Sequence, residues 1–322
     1  MNRVFRHLLL ATALLAVSSF VAAQDYPTRP IRMVVPFAPG GGSDLSGRIL
    51  ADGLNQVLGQ TIVVDNRAGA GSTIGADIVS KASPDCYTLL LGNISMAFNA
   101  ALYKNLPYDT LRDFAPVSLV VEQPNILVAN PSLPAKTLKE FVALARSTPG
   151  KLTYGSAGVG SGTHLAMEML LLTLKIDMVH VPYKGTGPTL IALLSNEISV
   201  FLSTFASALP HVKSGRLRTF GVTSTKRAGA LPEAPTIAEA GVPDFEYGTW
   251  YGLLAPGGTP RAIVDKLNKA TVGLLNSPET RQRYLAQGMD PIPSTSAAYV
   301  AHLKSEAEKW AKVVRTASIP QI

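Results

Sequence analysis

Two stretches hold the residue types with the clearest chemical use: PFAPGGGSDL at 36–45 and YGSAGVGSGTHL at 154–165. Each follows a strand-like apolar run, packs glycine and small hydroxyl residues into a turn, and opens into helical apolar spacing. The N-terminus of a helix leaves N–H groups unpaired at the positive end of the helix dipole, so such a turn can hold a carboxylate or phosphate without help from a cation. Neither stretch contains Lys or Arg. They lie more than a hundred residues apart, in separate halves of the chain. The simplest geometry sets them facing each other across a cleft, as a clamp for a small anion.

Each turn also has a plain structural use. Glycine serves tight turns and close helix–strand packing, and for any one loop that use alone accounts for the composition. Its recurrence in both halves favours the cradle. Asp44, in the first helical turn, either complements the dipole and exposed N–H groups, or fixes the loop, or holds a water or amino group of a ligand. One of Ser156, Ser161 and Thr163 is expected to cap the second helix, and His164 either packs or donates to a carboxylate. A third turn, DNRAGAGSTIG at 65–75, opens another helix. Its spacing is not G-x-G-x-x-G, and the chain has no Gly-Lys-Ser/Thr P-loop, which argues against nucleotide binding.

Catalytic signals are poor. Ser156 and Ser161 lack a G-x-S-x-G context, because Tyr154 and Val159 stand two residues before them. Apart from His7, the histidines are His164, His180, His211 and His302, without H-E-x-x-H or closely paired spacing; no metal or cofactor is expected. A hydrolase or transferase acting through Ser156 or Ser161 is the alternative, with no activating base evident. Cys86, the only cysteine, excludes an intramolecular disulfide. It reads as a half-buried small residue, pairing between chains being the other option.

The elements that position these turns alternate strand and helix from Ile31 onward. IRMVVP leads into the first turn, and 43–58 sets Leu45, Ile49, Leu54 and Leu58 on one face, with Gly59 as the stop. TIVVD at 61–65 and TLLLGN at 88–93 complete a βαβαβ unit with parallel strands and right-handed crossovers. Between 105 and 135, Pro107, Pro116, Pro124, Pro131 and Pro134 interrupt the runs VSLVV and NILVA, and this region is expected to pass from one lobe to the other. The helix TLKEFVALAR follows. LTYGS then starts a second series through MVHVPY, a helix at 186–195, ISVFLS, a short helix at 207–213 and RLRTFGVTS. A Pro-rich return after Ser224 precedes helices near 260–275, 278–287 and 296–316, expected to pack on the first lobe. The expected division is 24–124 with 225–322 as a discontinuous first lobe and 125–224 as the second, joined by two crossings that permit hinge closure. Phe205, Tyr247 and Trp250 are assigned to the core.

Residues 1–23 have a basic start, an apolar run from Leu8 to Val17 and small residues before Gln24. They read as a cleaved export signal ending at Ala23, too short in its apolar run to span a bilayer. Removing them, with Arg3 and Arg6, takes the chain from 322 residues and a net charge of +7 to 299 residues and +5. That length suits about two domains. The basic residues are scattered, which argues against a nucleic-acid surface, and a weak positive field helps to collect small anions.

Along the chain, PIRMVVPFAPGGGSD, DNRAGAGSTIG, PDCYTLLLGN, LYKNLPYDTLRDFAPVSLV, YGSAGVGSGTHL, VPYKGTGPTL, SALPHVKSGRLRTFGVTS and WYGLLAPGGTP occur in that order. In these blocks the chain resembles the Bug-type (TctC) solute-binding receptors of tripartite tricarboxylate transporters, across nearly its whole mature length. The resemblance implies an α/β fold of periplasmic-binding-protein type II, a Venus flytrap of two lobes with the ligand cleft between them. It implies a monomeric, non-enzymatic periplasmic receptor without cofactors. Such a receptor captures a small organic anion, usually a carboxylate or dicarboxylate, and delivers it to membrane permease subunits; a liganded form signalling to a sensor domain would use the same fold. Carried over by position, it places Phe37, Ala38, Gly41, Gly42, Ser43 and Asp44 on one side of the ligand. Ser156, Ala157, Gly158, Ser161, Thr163 and His164 stand on the other, and Gly71, Ser72, Thr73 and Ser95 line the first-lobe wall.

Three departures from the family pattern carry expectations. Cys86 stands where the PDGYT-like turn commonly has glycine, a strained position if that turn needs positive φ. Met96 replaces a frequent histidine. Ser203, a further cleft position, stands where many relatives have Asp, and without that acid an ammonium group has no carboxylate partner. The expected ligand therefore lacks an amino group, as a simple dicarboxylate or an aromatic acid does.

Overall fold

The first three strands, β1 (Ile31–Val35), β2 (Ile62–Asn66) and β3 (Thr88–Asn93), run parallel with β1 in the middle. The structure, a computed structural model, describes residues 26–316 and Gln321; the expected export signal lies outside the described residues. Helices α1 (Gly42–Leu58) and α2 (Thr73–Ser80) link these strands, giving the βαβαβ unit that the alternation of apolar runs predicts. Met33, Leu50, Leu54, Leu89 and Leu91 share one buried cluster, because a parallel sheet is covered on both faces.

A single strand then runs through both halves of the molecule. β4 (Phe114–Ala129) pairs antiparallel over 114–124 with β9 (Gly248–Pro256), which also pairs with β3. Its last residues, 125–129, lie between β7 (Val200–Thr204) and β8 (Arg218–Val222). β5 (Thr153–Ser156) joins β7 and β6 (Val179–Pro182) in parallel, and the short β10 (Asp290–Pro291) pairs with β4 near Val121. The result is two α/β lobes on one curled sheet. The prolines do not divide the region as the sequence suggests. Register shifts near Pro116 absorb its missing N–H, and Pro124 forms the last pair with β9 before β4 changes partners.

The remaining helices cover these sheets: α3 (Ser95–Leu102), α4 (Leu138–Ser147), α5 (Gly162–Leu174), α6 (Thr186–Leu194), α7 (Phe205–Lys213), α8 (Arg261–Asn276), α9 (Pro278–Leu285) and α10 (Ser296–Thr316). The carboxy-terminal helices return to the first lobe. Leu267 and Leu274 of α8 join the cluster of Leu50 and Leu54, and Trp310 of α10 meets Phe98 edge-on and packs beside Tyr247. Phe205, Tyr247 and Trp250 are buried, as assigned. The stretch 225–246, expected with the first lobe, packs instead on the second. Leu231 and Ala234 sit in one cluster with Phe201 and Leu209, and Thr236 bridges to Val222. The chain re-enters the first lobe at about Tyr247.

Cys86 has φ of +63°, the left-handed backbone that glycine suits best. Its side chain is fully buried, with Sγ 3.7 Å from Thr259 Oγ1. Burial pushes the thiol up to about 11, so it is a packing residue rather than a nucleophile. No helix among the described residues is long and apolar enough to cross a membrane.

Candidate functional site

The first Gly-rich turn leaves the start of α1 open. Gly41, the N-cap, is extended and brings no side-chain cap. The amides of Gly42, Ser43 and Asp44 therefore point outward without protein acceptors among the described residues. Glycine at 42 follows from crowding, since a Cβ there would lie 2.6 Å from both Gln123 Nε2 and Tyr251 Oη. Asp44 turns back into the loop. Its Oδ2 accepts from Gly40 N and Arg48 Nε, each at 3.0 Å, and its Oδ1 accepts from Asn66 Nδ2 at 3.1 Å. Asn66 Nδ2 also donates to the Phe37 carbonyl at 2.9 Å. Burial would raise the Asp44 carboxyl, but these donors and the Arg48 charge outweigh it and hold the group below the usual carboxylate range.

The second turn is braced by uncharged side chains, with the Glu168 carboxylate behind them. Ser161 caps α5 by accepting from His164 N at 3.3 Å, and Thr163 Oγ1 accepts from Ala157 N at 2.8 Å. The amides of Gly162 and Thr163 keep no protein acceptor among the described residues. Behind them Ser156 Oγ accepts from Gly158 N at 3.1 Å and lies 2.6 Å from His180 Nε2. His180 stacks between Tyr154 and His164. Tyr154 donates to the Glu168 carboxylate, and His164 Nδ1 accepts from Gly160 N at 3.3 Å. Burial pushes both imidazoles down to about 4, so both are neutral at pH 7.

Helices α1 and α5 open onto one narrow void of about 20 Å³. Phe37, Gly41, Gly42 and Ser43 border it from the first lobe and Ala157, Ser161 and Thr163 from the second. No charged side chain among the described residues borders it. The lobes touch at its edges. Ala38 N donates to the Lys184 carbonyl at 3.1 Å, and the Tyr103 hydroxyl shares its proton between the Ala70 and Val159 carbonyls at 2.9 and 3.3 Å.

The other expected positions lie outside the void. Ala38, Asp44, Ser156, Gly158 and His164 belong to the same loops; the side chains of Asp44, Ser156 and His164 and the amides of Ala38 and Gly158 are engaged within the protein as described. Gly71 rests against the backbone of Val159 and Gly160, closing the lobes on each other. Ser72, Thr73 and Ser95 are buried outside the void's lining, and Ser203 donates to the Thr204 carbonyl at 3.1 Å in the strand interior. Met96 is a core residue.

Sequence reasoning missed Asn93, Ile94 and Gly162, together with Thr186, Thr204, Thr249 and Tyr251, all of which border the void. A signal was present for several of them. Asn93 and Thr204 end strands β3 and β7, and ligands of open α/β sheets bind beyond the carboxyl ends of strands. Nothing local marks Thr249 and Tyr251, which β9 brings in antiparallel from far along the chain.

The catalytic alternative meets its base here, since His180 stands beside Ser156. Yet Ser156 is fully buried, away from the void, and the neutral, desolvated His180 is a poor proton acceptor at pH 7. Ser161 has only Thr163 and an amide for partners. Among the described residues no cluster of His, Cys, Asp or Glu could hold a metal ion.

Two lobes on one sheet, with an ionically neutral void between two helix N-termini, define a periplasmic-binding-protein fold. Residues 47–319 match the TctC family, described as the tripartite tricarboxylate transporter family receptor, and the chain belongs to that family of periplasmic solute-binding receptors. It is similar to the periplasmic binding protein BugD at 35% identity and a TM-score of 0.90, covering 92% of this chain and 100% of that one. It is similar to an R. palustris protein solved with adipate at 34% identity and a TM-score of 0.89, over 92% of this chain and 100% of that chain. The malate-bound MatC of Rhodopseudomonas palustris matches at 35% identity and a TM-score of 0.86, over 90% of this chain and 100% of MatC.

Proposed function

We propose that this receptor captures a small dicarboxylate lacking an amino group and delivers it to the permease subunits of a tripartite tricarboxylate-type transporter. The observation that carries the reading is the pair of open helix N-termini, α1 and α5, facing one void that no charged side chain borders. Each offers backbone N–H groups at the positive end of a dipole, suited to one carboxylate. With no acidic side chain at the void, an ammonium group has no partner of opposite charge. The relatives solved with adipate and malate bind acids of this class.

The chain acts as an exported monomer cut after Ala23, with lobes 26–124 plus 247–316 and 125–246 hinged at β4 and the crossing near Thr223 and Tyr247. Phe37, Gly41, Gly42 and Ser43 hold one carboxylate and Ala157, Ser161, Gly162 and Thr163 the other. Asp44, Ser156 and His164 brace the loops. A thermal-shift panel on mature protein, unfolded and refolded to strip carried ligand, tests this. Dicarboxylates at about 100 times Kd add about 2.7 kcal/mol and should raise the midpoint by roughly 5 °C or more. A shift with aspartate or glutamate but not with succinate or adipate would contradict the reading.

A further inference from the structure

We propose that Asn93 and Thr249 form a hydroxyl-reading subsite beside the carboxylate seat of α1, so that the receptor prefers hydroxy acids to their unsubstituted and keto analogues. This rests on the carboxylate-capture reading above. Asn93 pairs directly with Tyr251 in the antiparallel register of β3 and β9, so the two side chains share a sheet face. Thr249, two residues before Tyr251 on the same strand, shares that face, and all three border the void. A diagonal pair of this kind holds its Cβ atoms roughly 5–8 Å apart, a gap one bridging atom can span.

The hydrogen-bond directions assign the roles. Tyr251 Oη accepts from Gln123 Nε2 at 3.1 Å and lies beside the Ser43 hydroxyl, so one proton of that hydroxyl pair is directed to the α1 seat. That proton and the amides of Gly42 and Ser43, which border the void, are enough to seat one carboxylate. The donors of Asn93 are surplus to it. Asn93 Oδ1 accepts from Ser95 N at 2.9 Å, which fixes the amide's orientation. Its Nδ2 is left without a partner in a side chain only 2% exposed, and a buried donor left unpaired is costly. Thr249 is the opposite case. Its hydroxyl donates to Asn125 Oδ1 at 2.8 Å, so toward the void it offers lone pairs only.

A hydroxyl accepts and donates at once, and so satisfies both residues. A keto oxygen would satisfy Asn93 but face the lone pairs of Thr249. A methylene leaves both unmatched, and an ammonium group cannot accept from Asn93.

The test is calorimetric titration of stripped, mature protein with two pairs of probes, succinate against malate and glutarate against 2-hydroxyglutarate, with 2-oxoglutarate as the keto control. At least one hydroxy acid should bind about tenfold tighter than its unsubstituted partner, the worth of one well-made hydrogen bond, and 2-oxoglutarate no tighter than glutarate. Thr249→Val should bring the ratio to about one, and Thr249→Ser should restore it; Asn93→Ala should collapse it in the same way. Equal affinities within both pairs, or a tenfold ratio that survives Thr249→Val, would overturn the subsite while leaving carboxylate capture intact. No binding by any of the five acids would overturn both readings.

Discussion

The two Gly-rich loops use the same backbone device and brace it by opposite means. Each leaves first-turn amides open at a helix N-terminus, and each turns some of its polar side chains back into the protein. The first is held by an ion pair, with Asp44 gripping Arg48, Gly40 and Asn66. The second is held by neutral groups: Ser161, Thr163, Ser156 and two stacked imidazoles. Side chains that look like ligand donors in the sequence thus serve as struts. In the proposed reading, ligand recognition falls to the backbone and to residues from strand ends elsewhere.

The largest expected effect breaks the first cradle directly. Gly42→Asp would press a Cβ into Gln123 and Tyr251 and add negative charge at the open amides; dicarboxylate affinity should fall at least about a hundredfold, read by calorimetry, as expected for an unpaired charge in a desolvated site. Gly158→Asp is a different experiment from what the sequence suggests. Gly158 does not border the void, and its φ of +121° makes any side chain there a backbone lesion, so it should lower the melting temperature more than Gly42→Asp does.

Asp44→Ala sharpens the comparison by removing the ionic strut alone. Three donors lose their acceptor, and stability should drop by about 1–3 kcal/mol in chemical denaturation, with weaker ligand binding through a looser loop. Ser161→Ala, the neutral counterpart, removes a single cap and should cost about 1 kcal/mol.

Acid should separate the two braces. The folded pKa values of His164 and His180 are pushed down to about 4, against about 6.5 in the unfolded chain. Between those values the unfolded state binds more protons, so stability falls as pH drops from about 6.5 to about 4. Asp44 is lowered from its ordinary value, so its contribution stays whole above the unfolded carboxylate pKa of about 4 and is lost only below it. Melting temperature against pH should therefore bend downward first near 6.5, and a His164→Phe, His180→Phe double variant should flatten that limb. The smallest effect belongs to Cys86→Gly. Relief of left-handed strain and loss of buried sulfur oppose each other, and the change should stay within about 1 kcal/mol in denaturant titration.

Where a property is local, the sequence displayed it. The strand–helix alternation and the open turn before α1 follow from residues within a few positions of one another, whereas the left-handed backbone at Cys86 was expected only from the family pattern. The continuity of β4 was hidden because prolines read as breaks, although register shifts and a change of partner strand absorb them. The placement of 225–246 was hidden because its apolar contacts with Phe201 and Leu209 are long-range. The same limit explains the site. The turns showed where amides would be free, but not that Asp44, Ser156 and His164 face inward, nor that β9 delivers Thr249 and Tyr251 to the void.

The central claim is that both helix N-termini hold the ligand at once, and the most direct test is amide NMR of the deuterated, stripped protein during titration with succinate. The account predicts that the amide protons of Gly42 and Ser43 and those of Gly162 and Thr163 move downfield together, with one saturation point. Movement at only one of the two pairs, or at neither while succinate binds, would contradict it.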